Sequence, residues 1–85
     1  MREFSYTVRD DNGIHARPAG MLVSQAQQFA CQVRFFCGER QADGKRLFQL
    51  MGLNVKSGES VRVCCAGADE EAAAQALEAL MRAQL

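Results

Sequence analysis

Alternation dominates the start of the chain. In EFSYTV (residues 3–8) Phe4, Tyr6 and Val8 interleave with Ser5 and Thr7, the period of two that marks a half-buried strand. The period then changes. From Ala16 to Phe29 the apolar residues Ala19, Leu22, Val23, Ala26 and Phe29 recur at helical spacing. CQVRFFC (31–37) reads as a second strand. Gly38-Glu39, glycine first, suits a two-residue hairpin turn into a short polar third strand near Arg40–Ala42. RLFQLMGL (46–53) reads as a short helix, followed by Asn54, a residue that tolerates the left-handed conformation common at helix ends. The turn KSGE introduces a fourth strand, SVRVCCA (60–66). Asp69 is positioned to cap a last helix whose first turn carries Glu70 and Glu71 and whose apolar stripe is Ala73, Ala76, Leu77, Leu80 and Met81.

The resulting order is βαββαβα. Strands that alternate are covered on one face only, so the pattern predicts an α+β protein of two layers, with helices on one side of an antiparallel sheet. Periodicity leaves the strand order open, and a ferredoxin-like split βαβ arrangement fits nearly as well. No linker, internal repeat or low-complexity stretch interrupts the 85 residues, which are read as one domain spanning 1–85.

Charge changes this picture by exclusion. Ten basic side chains balance ten acidic ones, which argues against a nucleic-acid binder relying on summed phosphate attraction and against a polybasic membrane anchor. No run approaches the roughly 18 apolar residues of a membrane span, and MREFSYTVRD lacks the apolar core of a signal peptide, so a cytoplasmic protein without membrane insertion is expected. Cys31, Cys37, Cys64 and Cys65 contain no CxxC, and the single histidine cannot complete a paired zinc knuckle. They read as reduced, small apolar residues with no assigned function. No metal or cofactor is expected.

The single histidine, His15, lies in GIHARPAG (13–20). Gly13 permits a tight turn, and Pro18 is tolerated only within the first turn of a helix, so the helix begins close to His15 or Ala16. The imidazole is thereby set at the positive end of the helix dipole, beside amides with no partner inside the helix, where the neutral, nucleophilic ring is favoured. A phosphoryl group on that ring would sit on the amides near Ala16 and Arg17, with the Arg17 guanidinium adding charge-assisted hydrogen bonds. Locally, other readings stay open. His15 can simply cap the helix, it can ligate a metal, or it can serve as a hydrolytic base with Ser24, Asp10 or Asp11, although nothing in the sequence fixes these groups together.

GIHARPA at 13–19, KRLFQLMGL from Lys45, KSGESV before the fourth strand and GADEEA at 67–72, in this element order, closely resemble the HPr family, the histidine-containing phosphocarriers of the bacterial sugar phosphotransferase system. The resemblance covers essentially the whole chain. It implies an open-faced two-layer sandwich: a four-stranded antiparallel sheet in the order 1-4-2-3 with three helices on one face. It also implies a phosphoryl-transfer intermediate, a carrier and not a free-standing enzyme. A phosphoryl group derived from phosphoenolpyruvate passes from enzyme I to Nδ1 of His15 and on to the IIA domains of sugar permeases, with Arg17 stabilising the phosphate. A monomer is expected.

Leu47, Phe48, Leu50, Met51 and Leu53 are too many apolar residues for a two-turn helix to bury on one stripe; all five can be core, and Leu50 and Leu53 read as core. The resemblance further puts Leu47, Phe48 and Met51 in an exposed docking patch, with Arg17 and Gly20 at its edge. In many relatives from Gram-positive bacteria the residue after the lysine matching Lys45 is a serine phosphorylated by a dedicated kinase. Here it is Arg46, which cannot accept phosphate and carries the opposite charge to phosphoserine. Asn54 stands where relatives commonly have glycine, and both suit a left-handed position. The alternative function is a regulatory paralogue that acts by partner binding through Leu47, Phe48 and Met51. Retention of His15 and Arg17 together favours the carrier.

Overall fold

The computed structural model describes residues 1–85. Seven elements follow in the order β1 (Arg2–Thr7), α1 (Ala16–Ala26), β2 (Gln32–Cys37), β3 (Arg40–Asp43), α2 (Leu47–Gly52), β4 (Ser60–Ala66) and α3 (Glu70–Gln84). All four strands join one antiparallel sheet in the order β1-β4-β2-β3. That order decides what periodicity left open: it is the open-faced sandwich, not the ferredoxin-like arrangement. β4 is central, pairing Phe4 with Val63 on one side and Phe35 with Val63 on the other.

Register follows from which residues must be dry. Tyr6, Val33, Phe35, Cys37, Val61, Val63 and Cys65 all point to the helix side and are buried, so a slip of one residue would turn each of them to water. Arg34 and Arg62 take the alternate positions and are exposed. On that open face the Arg62 guanidinium lies 4.5 Å from the centre of the Phe36 ring and pairs with Glu3 at 3.2 Å. The helices close the other face with Ala19, Leu22, Val23 and Ala26 from α1, Leu50 from α2, and Ala73, Leu77 and Met81 from α3. Each fully buried large side chain, such as Phe35 or Leu77, contributes about 1.5–3 kcal/mol relative to exposure.

Three local outcomes differ from the sequence pattern or refine it. The helical spacing runs to Phe29, but α1 stops at Ala26. Gln28 N–H and Phe29 N–H donate three residues back, to Gln25 O and Ala26 O, so the chain tightens into turns while Phe29 still packs on the core. Lys45 reaches this end, its ammonium donating to Phe29 O at 2.6 Å, a cation at the negative end of a helix. Secondly, the Asp69 side chain does not cap α3. Its two carboxylate oxygens instead accept the amides of Ala30 and Cys31 at 2.8 and 2.9 Å, satisfying N–H groups where the chain enters β2. Those amides, Ala30 first, hold the Asp69 carboxyl below the usual carboxylate range. Thirdly, Gly38 turns the β2–β3 hairpin at φ 61° and Asn54 ends α2 at φ 52°, both in the left-handed region the sequence assigned to them.

Candidate functional site around His15

The loop between β1 and α1 is held at nearly every residue. Arg9 and Asp10 donate their amides to Leu85 O, Gly13 N–H returns to Asp10 O at 2.9 Å, and Ile14 N–H reaches Val55 O at 3.0 Å. Gly13 adopts φ 65°, and a Cβ there would stand 2.1 Å from Val55 O. Only glycine permits the loop to pass this close to the backbone after α2. The chain therefore enters α1 along a fixed path.

His15 occupies the N-cap position with extended backbone, φ −95° and ψ −178°, and its carbonyl accepts the first helical bond from Ala19 N–H at 3.0 Å. Its ring makes no capping hydrogen bond. Capping is thus a role of the His15 backbone alone, and the imidazole, 40 % exposed, is left for other chemistry. The amides of Ala16 and Arg17 have no acceptor within the protein, and Pro18 has none to offer. Two N–H groups of the helix start are consequently open to an anion beside the ring. Arg17 is exposed and engages in no ion pair.

The structure brings Asp10 to the ring: its Oδ2 lies 3.7 Å from His15 Nε2. Ser24 is not brought there. It lies ~12 Å along the axis of α1 from Ala16, in a shallow groove of about 700 Å³ that also runs past Arg17, Gly20, Met21 and Leu80. On α2, Phe48 is 87 % exposed and Met51 is at the surface, whereas Leu50 and Leu53 are buried as expected. Leu47 differs from a fully exposed residue: it is half-buried and packs against the core. Arg46 precedes α2 in an exposed position, 3.6 Å from Asp43.

Residues 2–83 match the family model PTS-HPr, described as the PTS HPr component phosphorylation site. The chain belongs to the HPr family. The phosphocarrier protein HPr of Lysinibacillus sphaericus is 38 % identical over 81 residues, 95 % of this chain and 92 % of the relative. That of Mycoplasma capricolum subsp. capricolum is 31 % identical over 81 residues, 95 % and 91 % respectively. Among solved structures, HPr from Thermoanaerobacter tengcongensis superimposes with a TM-score of 0.93 at 31 % identity, covering 98 % of this chain and 93 % of that one. The chain is accordingly an HPr-type phosphocarrier component of the phosphotransferase system.

No three His, Cys, Asp or Glu side chains come together to hold a metal ion, and no helix is long and apolar enough to cross a membrane. The cysteines are free thiols. Burial pushes Cys31 and Cys64 up and Cys65 to about 11, the last with help from its Cys31 and Cys64 neighbours. They remain protonated and weakly nucleophilic at neutral pH. Of the partners the sequence offered without anything to fix them, Ser24, Asp10 and Asp11, Asp10 is the one that the fold brings to His15. The signal was the Asp-Asp-Asn-Gly run at 10–13, whose turn residues fold the carboxylate back over five positions.

Proposed function

We propose that His15 accepts a phosphoryl group from enzyme I of the phosphotransferase system and passes it to the IIA domains of sugar permeases. The observation that carries this reading is a half-exposed imidazole that caps nothing, set beside the two unpaired amides of Ala16 and Arg17. Nδ1 attacks phosphorus, the bond from phosphorus to the donor breaks, and the donor keeps that electron pair. The phosphoryl oxygens then accept from the Ala16 and Arg17 amides and from the Arg17 guanidinium. The helix end is worth about 0.3–1 kcal/mol to such an anion, enough to hold the group without trapping it. Onward transfer runs the same step in reverse to a different acceptor.

Enzyme I and IIA dock on the surface formed by Phe48 and Met51, with the outer part of Leu47, and on the Arg17–Gly20 edge. Exposure of Phe48 supports this, because burial cannot explain a large apolar side chain left 87 % in water. A contact that must release its partner after each transfer is expected to be small. The protein works as a cytoplasmic monomeric domain, without metal or cofactor. Arg46 leaves the segment without a hydroxyl for kinase-dependent regulation. The test is a reconstituted relay of radiolabelled phosphoenolpyruvate, enzyme I and a IIA domain from the source organism. Label is expected on IIA only when this protein is present. Equal labelling of IIA without it contradicts the carrier reading.

A further inference from the structure

The carboxylate at position 10 is held in an unusual way for a loop residue. One oxygen, Oδ1, accepts Asn12 N–H at 2.8 Å. The Asp10 backbone is fixed at both ends, its N–H on Leu85 O at 2.9 Å and its C=O accepting Gly13 N–H at 2.9 Å. The remaining oxygen, Oδ2, lies 3.7 Å from Nε2 of His15, at ion-pair distance and not in a hydrogen bond. Asp10 is half-buried, so this is a placed group and not a freely rotating one. Arg9 and Asp11 on the same loop, Arg17 on α1 and Lys56 beyond α2 are exposed; none of the three cations pairs with Asp10, and Asp11 does not pair with the ring.

We infer that Asp10 is a positioning residue for the phosphohistidine: it directs the N–H of the ring to Nε2, keeps Nδ1 as the acceptor, and sets how readily the phosphoryl group leaves. The inference rests on the carrier reading of His15. When Nδ1 bonds to phosphorus and Nε2 keeps its proton, the ring carries positive charge, and the Oδ2 carboxylate 3.7 Å away favours that state. On departure the P–Nδ1 bond breaks and its electron pair returns to Nδ1. The acceptor's nucleophile, or water, forms the new bond to phosphorus, and Nε2 retains its proton, leaving a neutral imidazole. A protonated ring is the better leaving group, so the Asp10 charge promotes release. A carboxylate orienting an imidazole through its far nitrogen is a general device of histidine chemistry.

The test compares the full chain with Asp10→Asn, which keeps an oxygen for the Asn12 turn and removes the charge. Both are phosphorylated chemically with phosphoramidate, so enzyme I is not needed. Nitrogen and phosphorus NMR then locate the phosphoryl group, and its loss at pH 7 is followed with time. The wild-type protein is expected to carry it on Nδ1. Asp10→Asn is expected to lengthen the half-life about threefold or more, given a charge at this separation near the surface, with unchanged thermal stability. Equal half-lives, or phosphate on Nε2 of the wild-type ring, overturn the role of Asp10. Failure of enzyme I to label a protein that phosphoramidate does label overturns the carrier reading and leaves the Asp10 result standing.

Discussion

At the scale of single residues, the site depends on backbone conformations as much as on side chains. His15 caps α1 through its carbonyl, which frees the ring, and Gly13 makes that geometry reachable. Gly13→Ala is expected to destabilise the fold by at least about 2 kcal/mol, since it combines a left-handed φ with a clash against Val55 O that backbone alone must relieve. Urea denaturation measures it, and a loss below 0.5 kcal/mol, about the size of an ordinary surface change, contradicts the close approach. Asn54→Gly is by contrast expected to be nearly neutral, because the position is left-handed and exposed. Gly13, Pro18 and Asn54 could be placed from sequence because each has a conformation few other residues share. The Asp10–His15 approach could not, because a carboxylate five residues away is placed by hydrogen bonds to Leu85 and Val55, distant in the chain.

Among the elements, α2 is the one whose residues divide by face. Six residues hold four large apolar side chains, Leu47, Phe48, Leu50 and Met51, more than one stripe can bury. Phe48→Ala is expected to weaken enzyme I binding at least tenfold while leaving the melting temperature within about a degree, because its ring is 87 % exposed. Leu50→Ala is expected to do the reverse, costing about 2–5 kcal/mol of stability through a cavity under the helix. Titration calorimetry and thermal melts separate the two, and a Phe48→Ala variant with unchanged affinity rejects the docking surface. Periodicity alone does not say which residues of a two-turn helix face outward. The family resemblance did, except for Leu47, which has one side on the core. Asp69 departs from the expected side-chain cap for a related reason: Ser, Asp and Asn before a helix usually cap it, but here the same carboxylate is taken up by the amides of Ala30 and Cys31.

For the whole molecule, the layers and element order were legible in the alternation of the strands, while the order β1-β4-β2-β3 was legible only through the family resemblance, since each strand's period says which face is dry and nothing about its neighbour. Two carboxylates tie distant parts of that fold together. Asp69 joins α3 to the start of β2, and Glu59 accepts Lys56 N–H at 2.8 Å and pairs with Arg40. Backbone amides hold both carboxyls below their ordinary values. A carboxyl depressed in the folded state contributes stability above the unfolded value, and that contribution is lost as pH falls through the folded one. Their share of stability is therefore expected to be constant near neutrality and to fall below about pH 4. Asp69→Asn is expected to flatten that acid limb in urea titrations, and an unaltered limb contradicts the assignment. The thiols respond to a separate probe. A thiol reagent at pH 7 is expected to reach the part-exposed Cys64 first and Cys65 only after unfolding.

The carrier reading rests on one imidazole at one helix start, and phosphorylation by the cognate enzyme I tests it most directly. The purified protein, incubated with enzyme I and phosphoenolpyruvate, is expected to gain one acid-labile, base-stable phosphoryl group on His15, and His15→Ala none. Absence of label on the wild-type protein with a competent enzyme I, or equal labelling of His15→Ala, contradicts it.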